Sequence, residues 1–210
     1  MNGNEQENRT GEEERSMNKT ETLKDGSPVV IRSLKVEDLD KLMAFYAALP
    51  ADDRKYLKVD VTDKNVVRRR ILLTEQGNVF RLVGLVGDKI AADGMLEVRE
   101  EAWQKHQGEL RVIVAPEFRR KGLGLLLMRE LYFIAAERGV RMVVARFMRP
   151  QEDARRICRA LGFREESLLP DYVTDRTGQA QDLVVMAADM NEFWNELESY
   201  YHATDWQRCQ

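Results

Sequence analysis

Cysteine and histidine are scarce in this chain of 210 residues, which contains two of each. Cys158 and Cys209 are too few for a disulfide framework or a four-ligand zinc site, and two histidines supply few further metal ligands. We therefore expect free thiols and no metal site.

Long apolar runs are missing as well. No run reaches the roughly 20 apolar residues that a membrane-spanning helix requires. The opening segment MNGNEQENRTGEEERS has neither the apolar core of a secretory signal nor the arginine-rich character of a transit peptide. The net charge of −3 gives no overall attraction to nucleic acid. We therefore expect a cytoplasmic protein that binds neither membranes nor nucleic acid.

What the chain does have is continuous hydrophobic periodicity from residue 28 to residue 190, without a proline- or glycine-rich linker. This pattern predicts a single domain. Residues 1–27 contain hardly any large apolar side chain, so burial cannot offset the entropy of ordering them. We expect them to form a disordered acidic tail.

The end of the chain, residues 191–210, places apolar side chains at helical intervals. This spacing predicts an amphipathic helix whose apolar stripe must cover a surface. That surface belongs either to the same domain or to a second copy of the chain, which would make a homodimer. The stripe consists of Phe193, Trp194, Leu197 and Tyr201.

Within the domain, runs of β-branched residues alternate with segments of helical periodicity. The order predicts an α/β or α+β fold, a mixed sheet with helices on its faces. Thr62 is the expected N-cap of the second helix. In chain order we expect strand Val29–Leu34, a helix around Leu39–Leu49, a helix after Thr62, hairpin strands Val79–Val86 and Ile90–Arg99, strand Glu109–Ala115, helix Gly122–Arg138, strand Arg141–Met148, helix Gln151–Leu161 and strand Gln181–Met190.

The segment VIVAPEFRRKGLG, from Val112 to Gly124, indicates an anion site. A strand that leads through a glycine-containing loop into a helix presents unpaired backbone N–H groups at the first helical turn. Gly122 and Gly124 permit unusual backbone angles and a close approach of the ligand, while the preceding RRK adds positive charge. A pyrophosphate fits such a loop. The segment is not a Walker A loop, because no Lys-Ser/Thr pair follows the second glycine.

The same segment resembles the acyl-CoA-binding signature of the GNAT N-acetyltransferases, in which Arg/Gln-x-x-Gly-x-Gly/Ala opens a helix. A later segment, ARRICRALGF, resembles the second signature of that family. The order of elements is similar to the family from Val29 to Met190, and the N-terminal part is more loosely similar to acetyltransferase modules of bacterial protein-modifying members. The resemblance implies a mixed, mostly antiparallel sheet that is splayed at its central strands, with helices on both faces.

The resemblance also implies acetyl-CoA as the co-substrate. The backbones of Val112, Ile113 and Val114 would bind the pantetheine arm like an added strand, so a bulge or splay is expected near Val114. The N–H of Val114 is the candidate donor to the oxyanion. The pyrophosphate would lie on a loop made of Arg119, Arg120, Lys121, Gly122, Leu123, Gly124 and Leu125.

The implied reaction is direct acetyl transfer to a primary amine. The acceptor is a protein or peptide lysine or N-terminus, or a small amine or amino acid. The alternative is a non-catalytic module that senses acyl-CoA or acts as a scaffold. Substrate contacts are expected from the loops PADDRKYLKVD and LPDYVTDRTGQ. Acidic side chains in them would suit a cationic acceptor unless they are merely solvated: Asp52, Asp53, Asp171 and Asp175.

Two glutamates are candidates for the general base. The period of two along GELRVIV puts Glu109, Arg111 and Ile113 on one face of the strand, and Glu109 lies near the position where some family members hold a basic glutamate. Glu97 on the preceding strand is the second candidate. Either could instead be a strand carboxylate that balances a neighbouring arginine.

Cys158 stands where the family commonly has the tyrosine that protonates the departing thiolate. Three roles are open for this cysteine: it acts as an acid through a bridging water, it is a nucleophile that becomes acylated, or it is a small buried residue of the core. We expect the core role, with the thiolate protonated by water or by another tyrosine such as Tyr172.

Overall fold

The computed structural model describes residues 18–205 and the side chains of residues 18–200. Expectations about residues 1–17, the side chain of Tyr201 and Cys209 lie outside the described residues. The strands are β1 Asn18–Thr22, β2 Pro28–Ser33, β3 Val79–Val86, β4 Lys89–Val98, β5 Gln107–Val114, β6 Met142–Met148, β7 Arg164–Thr174 and β8 Ala180–Asp189. The α-helices are α1 Leu39–Ala48, α2 Ala51–Lys55, α3 Lys64–Leu72, α4 Leu123–Glu137, α5 Glu152–Ala160 and α6 Met190–Asp205.

The strands form one sheet in the order β1-β2-β3-β4-β5-β6-β8-β7. Each neighbouring pair is antiparallel except β5 and β6, which are parallel. The predicted mixed, mostly antiparallel sheet is therefore confirmed. The parallel pair lies near the middle of the sheet, where the chain crosses from β5 through α4 to β6.

The two faces of the sheet bury separate cores. On one face α4 and α6 pack against the sheet, and this core includes Leu127 and Leu197. On the other face α1 and α3 cover β3 and β4, with Leu42 and Ile71 at the centre. We call this second face the α1/α3 face. The alternation predicted for β5 is confirmed, because Val112 packs on the α4 side and Ile113 on the α1/α3 face.

Glycines let α4 lie directly on the sheet. A Cβ on Gly84 would be 2.8 Å from the side chain of Leu123, and one on Gly94 would be 2.9 Å from the side chain of Leu127. Contacts this short would force the helix away from the strands. These glycines of β3 and β4 therefore fix the start of α4 beside the end of β5.

The disordered tail predicted for residues 1–27 is wrong for residues 18–27. Residues 18–22 form β1, an edge strand paired with β2, and Leu23 is almost completely buried. Lys19 forms an ion pair with Glu130 of α4, and Glu21 forms one with Arg129 of the same helix. Composition misses this strand because backbone hydrogen bonds and ion pairs, rather than an apolar face, hold most of it.

Three local predictions need correction. The N-cap of α3 is Asp63 instead of Thr62, because the Asp63 carboxylate accepts hydrogen bonds from the backbone N–H groups of Asn65 and Val66 while the Thr62 hydroxyl bonds Asp60. The expected loop PADDRKYLKVD contains α2. The expected loop LPDYVTDRTGQ begins within β7, whose pairing with β8 continues to Thr174.

The C-terminal helix packs on its own domain, which was one of the two alternatives. Phe193 and Leu197 are completely buried. The ring of Trp194 stacks on Tyr132 of α4 with centroids 4.7 Å apart. No helix within residues 18–205 combines the length and the apolarity needed to cross a membrane.

Candidate functional site

A gap opens between β5 and β6. The two strands pair only where residues 107–109 lie beside residues 142–144, yet β5 continues to Val114 and β6 to Met148. The rest of β5 therefore has β4 on one side and no strand on the other. This is the splay that was expected near Val114.

The register decides which backbone groups of β5 face this gap. Arg99 N–H bonds Gln107 O at 3.0 Å, and Ala115 N–H bonds Ala91 O at 2.9 Å. Odd-numbered residues of β5 therefore bond β4 at both ends of the ladder, and even-numbered residues turn their N–H and C=O groups to the gap.

The expected backbone ligands thus fall on both sides of the strand. Val112 and Val114 present their amides to the gap, whereas Ile113 lies opposite Asp93 and bonds β4. The prediction that Ile113 offers its backbone to a ligand is wrong, because strand pairing already uses those groups. The carbonyl of Val114 accepts a hydrogen bond from Arg119 Nε at 3.0 Å, which ties the following loop to the gap.

The loop before α4 has the backbone conformation of an anion-binding nest. Arg120 has φ 61° and Gly122 has φ 87°, both left-handed. In the described part of the chain, the N–H groups of residues 120–125 have no backbone acceptor, and the first helical bond runs from Leu126 N–H to Gly122 O at 3.1 Å. Arg119 is the exception among the predicted amides, since its N–H bonds Pro116 O at 3.2 Å. Six amides therefore remain to face an anion.

The three cations of the loop have different surroundings. The Arg119 guanidinium bonds Val114 O and pairs with Asp53, so it braces the loop. Lys121 pairs with Asp25 at 3.0 Å. Arg120 is exposed and forms no ion pair with any of residues 18–200. Of the three cations, Arg120 is therefore the one best placed to form an ion pair with a phosphate.

Lys24 lies beside the nest and was not predicted from the sequence to belong to the candidate site. Its N–H bonds Lys121 O at 3.0 Å, and its side chain lies 3.6 Å from the point where a Cβ on Gly122 would be. The turn between β1 and β2 thus adds a cation beside the nest. The available signal was Leu23 followed by the turn sequence KDGS, but it lay in a segment interpreted as disordered.

Glu109 is buried on the α1/α3 face and surrounded by cations. Its carboxylate pairs with Lys58, Arg146 and Arg99, the last at 3.0 Å. Burial alone would raise the pKa of Glu109, but these three cations together hold the pKa below its ordinary value. Glu109 is therefore ionised at neutral pH, and both of its oxygens are occupied by ion pairs.

Glu97 is the more open of the two candidate bases. It lies opposite Glu109 in the β4–β5 register, and its nearest cation is Arg99 at 3.7 Å. About a third of its side chain is exposed (34%). The two glutamates thus share one face of the sheet, but only Glu97 has room for a water or an amine.

Two of the four acidic loop residues have structural partners. Asp53 pairs with Arg119. Asp175 is buried, pairs with Lys55 at 3.4 Å and accepts hydrogen bonds from the turn that follows it. Asp52 and Asp171 are exposed. Asp53 and Asp175 are therefore already paired with basic side chains, which leaves Asp52 and Asp171 as solvated carboxylates.

Cys158 lies in the core, facing the sheet from α5. Burial raises the pKa of its thiol to about 12. The thiol is therefore protonated at neutral pH and is a poor nucleophile. Tyr172, the other residue considered for proton transfer, lies exposed on β7.

A family model matches the chain. The model is that of the acetyltransferase (GNAT) family, and the match covers residues 52–163. This range contains the β5 edge, the nest and α5, together with Glu97 and Glu109, whereas Lys24 lies outside it. No curated protein sequence matches the chain significantly.

Solved structures share the fold. A ribosomal-protein-alanine N-acetyltransferase from Brucella melitensis is 24% identical, with 76% of this chain and 98% of that chain covered and a TM-score of 0.65. The yncA protein of Salmonella typhimurium, solved with its cofactor acetyl-CoA, is 20% identical over 77% and 94% of the two chains, with a TM-score of 0.65. The GNAT domain of S. lividans PAT is 16% identical over 82% and 97%, with a TM-score of 0.69.

Proposed function

Because the chain belongs to the GNAT family of acetyltransferases, which uses acetyl-CoA, we propose that it transfers the acetyl group of acetyl-CoA directly to a primary amine. The acceptor is a small amine or amino acid, or a lysine or N-terminus of a protein or peptide. The observation that carries the proposal is the open edge of β5 directly beside the six amides of the nest.

These groups fit the two parts of coenzyme A. An extended pantetheine arm carries amide groups that can pair with a free strand edge, and Val112 and Val114 offer such an edge. A pyrophosphate needs several N–H donors and positive charge. The backbone of residues 120–125 supplies the N–H groups, and the side chains of Arg120 and Lys24 supply the charge. We assign donor binding to these residues.

Acetyl transfer requires a hydrogen-bond donor to the carbonyl oxygen of the thioester. Acetyl-CoA supplies a thioester, whose C–S bond breaks as the amine nitrogen forms a bond to the carbonyl carbon. The N–H of Val114 faces the gap, and we assign it to the oxygen on which negative charge develops. A backbone N–H held in a strand is rigid, so it needs no rearrangement as the charge appears.

Two protons must also move. The amine loses one, and the departing thiolate gains one. We assign proton acceptance to Glu97 through a water relay, because about a third of its side chain is exposed and its ion pair with Arg99 is long, at 3.7 Å. We assign to Glu109 the positioning of Lys58, Arg99 and Arg146 around the acceptor side. The proton for the thiolate comes from water, since Cys158 is buried away from solvent.

The proposal is tested by calorimetry with acetyl-CoA together with a thiol-release assay on a panel of amines and peptides. We expect both binding and turnover with at least one acceptor. Binding without turnover on every acceptor would instead favour an acyl-CoA sensor. Absence of acetyl-CoA binding would overturn the assignment of the site.

The two glutamates are separated by their effects on kcat and KM. Glu97→Gln should lower kcat with little change in the acceptor KM, because the group that accepts the proton is lost. Glu109→Gln should mainly change the acceptor KM. A loss of kcat confined to Glu109→Gln would reverse the two assignments.

A further inference from the structure

A row of basic side chains crosses the sheet on the α1/α3 face. Arg81 of β3 lies opposite Met95 of β4, and Met95 lies opposite Arg111 of β5. Arg70 reaches the same place from α3: Nη2 of Arg70 and Nη2 of Arg111 are each 4.0 Å from the sulfur of Met95. Two guanidinium groups from distant parts of the chain therefore converge on one thioether.

One arginine of the row is neutralised. Arg81 is buried and donates to Asp93 Oδ2 at 2.6 Å and to the Tyr46 hydroxyl at 2.9 Å. Tyr46 in turn donates to the same oxygen of Asp93 at 2.7 Å. The carboxylate of Asp93 thus balances Arg81.

The other two arginines have no ion-pair partner among residues 18–200, although the charge of Glu97 favours the charged form of Arg70. Among residues 18–200, no carboxylate lies within ion-pair distance of Arg70 or Arg111, and both side chains are half-buried. Burial, together with the charges of Arg111 and Arg81, lowers the pKa of Arg70. An arginine nevertheless keeps its proton at neutral pH, so the two guanidinium groups repel each other in partial isolation from water.

The surroundings are also cationic. Lys58, Arg99 and Arg146 lie around Glu109 on the same face, with Glu97 beside them. With Arg70 and Arg111 this makes five cations and two carboxylates. A lysine-rich peptide would be repelled here, whereas an anion would relieve the repulsion.

The position suits part of an acceptor. Arg111 precedes Val114 by three residues on β5, which corresponds to about 10 Å along a strand. Its side chain lies on the α1/α3 face, which also carries Glu97, the residue assigned above to accept the proton of the amine. Building on the acetyl transfer proposed above, we propose that Arg70 and Arg111 bind a carboxylate or phosphate of the acceptor, which is therefore a small amine that carries an anionic group, such as an amino acid.

The test compares matched acceptors: amino acids, their uncharged amides, and aminoalkyl phosphates with the corresponding alcohols. We expect the wild type to prefer the anionic member of each pair. Arg70→Gln and Arg111→Gln should raise the KM for that member at least tenfold, change kcat little, and leave the KM for the neutral member unchanged. Arg68→Gln, on the exposed side of the same helix, is the control and should match the wild type.

A second measurement does not depend on turnover. Inorganic phosphate should raise the Tm of the wild type and of Arg68→Gln, and raise it much less in the Arg70 and Arg111 variants. Without phosphate these two variants should be at least as stable as the wild type, because a repulsion has been removed, whereas arginines that merely support the fold would lower Tm when replaced.

The outcomes separate the two proposals. Transfer to amines with no preference for the anionic member, or equal phosphate stabilisation in all variants, overturns the anion site and leaves the acetyl transfer standing. Absence of transfer to every amine, with phosphate stabilisation that still depends on Arg70 and Arg111, overturns the proposed function and supports the anion site.

Discussion

The donor side and the acceptor side of the candidate site consist of different chemical groups. The donor side consists of backbone: the gap-facing edge of β5 and the amides of residues 120–125. The acceptor side consists of charged side chains contributed by β3, β4, β5, β6, α3 and the loop that carries Lys58. A backbone site depends on conformation, so few side chains can change it. A site of paired charges depends on which partners are present, so single substitutions can retune it.

The largest expected effect is on the donor side. Gly122→Val should weaken acetyl-CoA binding about a hundredfold or more, equivalent to about 2.8 kcal/mol, because a β-branched residue resists φ 87° and would turn the amides of the nest away. Calorimetry measures the change. Gly139→Val is the matched control, since Gly139 also has positive φ (71°) but lies at the far end of α4. Equal losses in both variants would mean that the effect is general strain.

A smaller effect is expected on the acceptor side. Glu109→Gln should lower the free energy of unfolding by about 1–3 kcal/mol at neutral pH, because three cations lose a buried partner. Glu165→Gln is the control: Glu165 also pairs with arginines, but it is exposed, and exposed pairs contribute about 0–1 kcal/mol. Denaturant unfolding measures both variants, and equal losses would contradict the buried network.

The contribution of Glu109 also has a predicted pH dependence. Its pKa is lowered in the folded state, so the unfolded chain binds the proton more tightly. The stabilisation is complete above the ordinary glutamate value of 4.5 and is lost as the pH falls through the lower folded pKa. The difference in stability between the wild type and Glu109→Gln should shrink in that acidic window; a difference that is constant with pH would show that the carboxylate charge is not involved.

Lys24 should have a modest effect on the donor side. Lys24→Gln should weaken acetyl-CoA binding by a few-fold, about 0.3–1 kcal/mol, because an exposed cation near a phosphate is screened by solvent. The effect should fade at high salt. Lys89→Gln, exposed at the start of β4, should not alter binding. A salt-independent loss in Lys24→Gln would point to the packing of the turn instead of its charge.

The smallest effect on activity is expected at Cys158. Cys158→Ser should retain measurable transfer, because the thiol is buried and its pKa is raised to about 12. Mass spectrometry of the wild type incubated with acetyl-CoA alone should find no acetyl group on Cys158. A stoichiometric adduct would establish a covalent intermediate and contradict direct transfer.

The difference between a site made of backbone groups and one made of charged side chains also explains what could be predicted from the sequence. The donor side could be recognised because Arg119, Gly122 and Gly124 are adjacent in the chain and their spacing reflects local backbone geometry. The sequence could not show that Ile113 bonds β4 while Val112 and Val114 face the gap, because this depends on the register of β5 with β4. Lys24 was missed since its relation to the nest depends on the pairing of β1 with β2.

The acceptor side was predictable only in part. The alternation along β5 correctly placed Glu109 and Arg111 on one face, but the partners of Glu109 come from positions 58, 99 and 146. The convergence of Arg70 on Arg111 likewise joins α3 to β5. Such contacts carry no local signal. Most strands and helices were predicted from periodicity, while the polar edge strand β1 and the five-residue α2 lacked the periodic apolar pattern that reveals an element.

Acetyl-CoA is proposed to bind the gap-facing amides of β5 and the amides of the nest. Residue-resolved amide hydrogen exchange with and without acetyl-CoA can detect this binding at each amide. We expect strong new protection at Val112, Val114 and residues 120–125, with little change at Ile113, whose N–H already bonds β4. Unchanged exchange at Val112 and Val114 under saturating acetyl-CoA, or new protection confined to other parts of the sheet, would contradict this proposal.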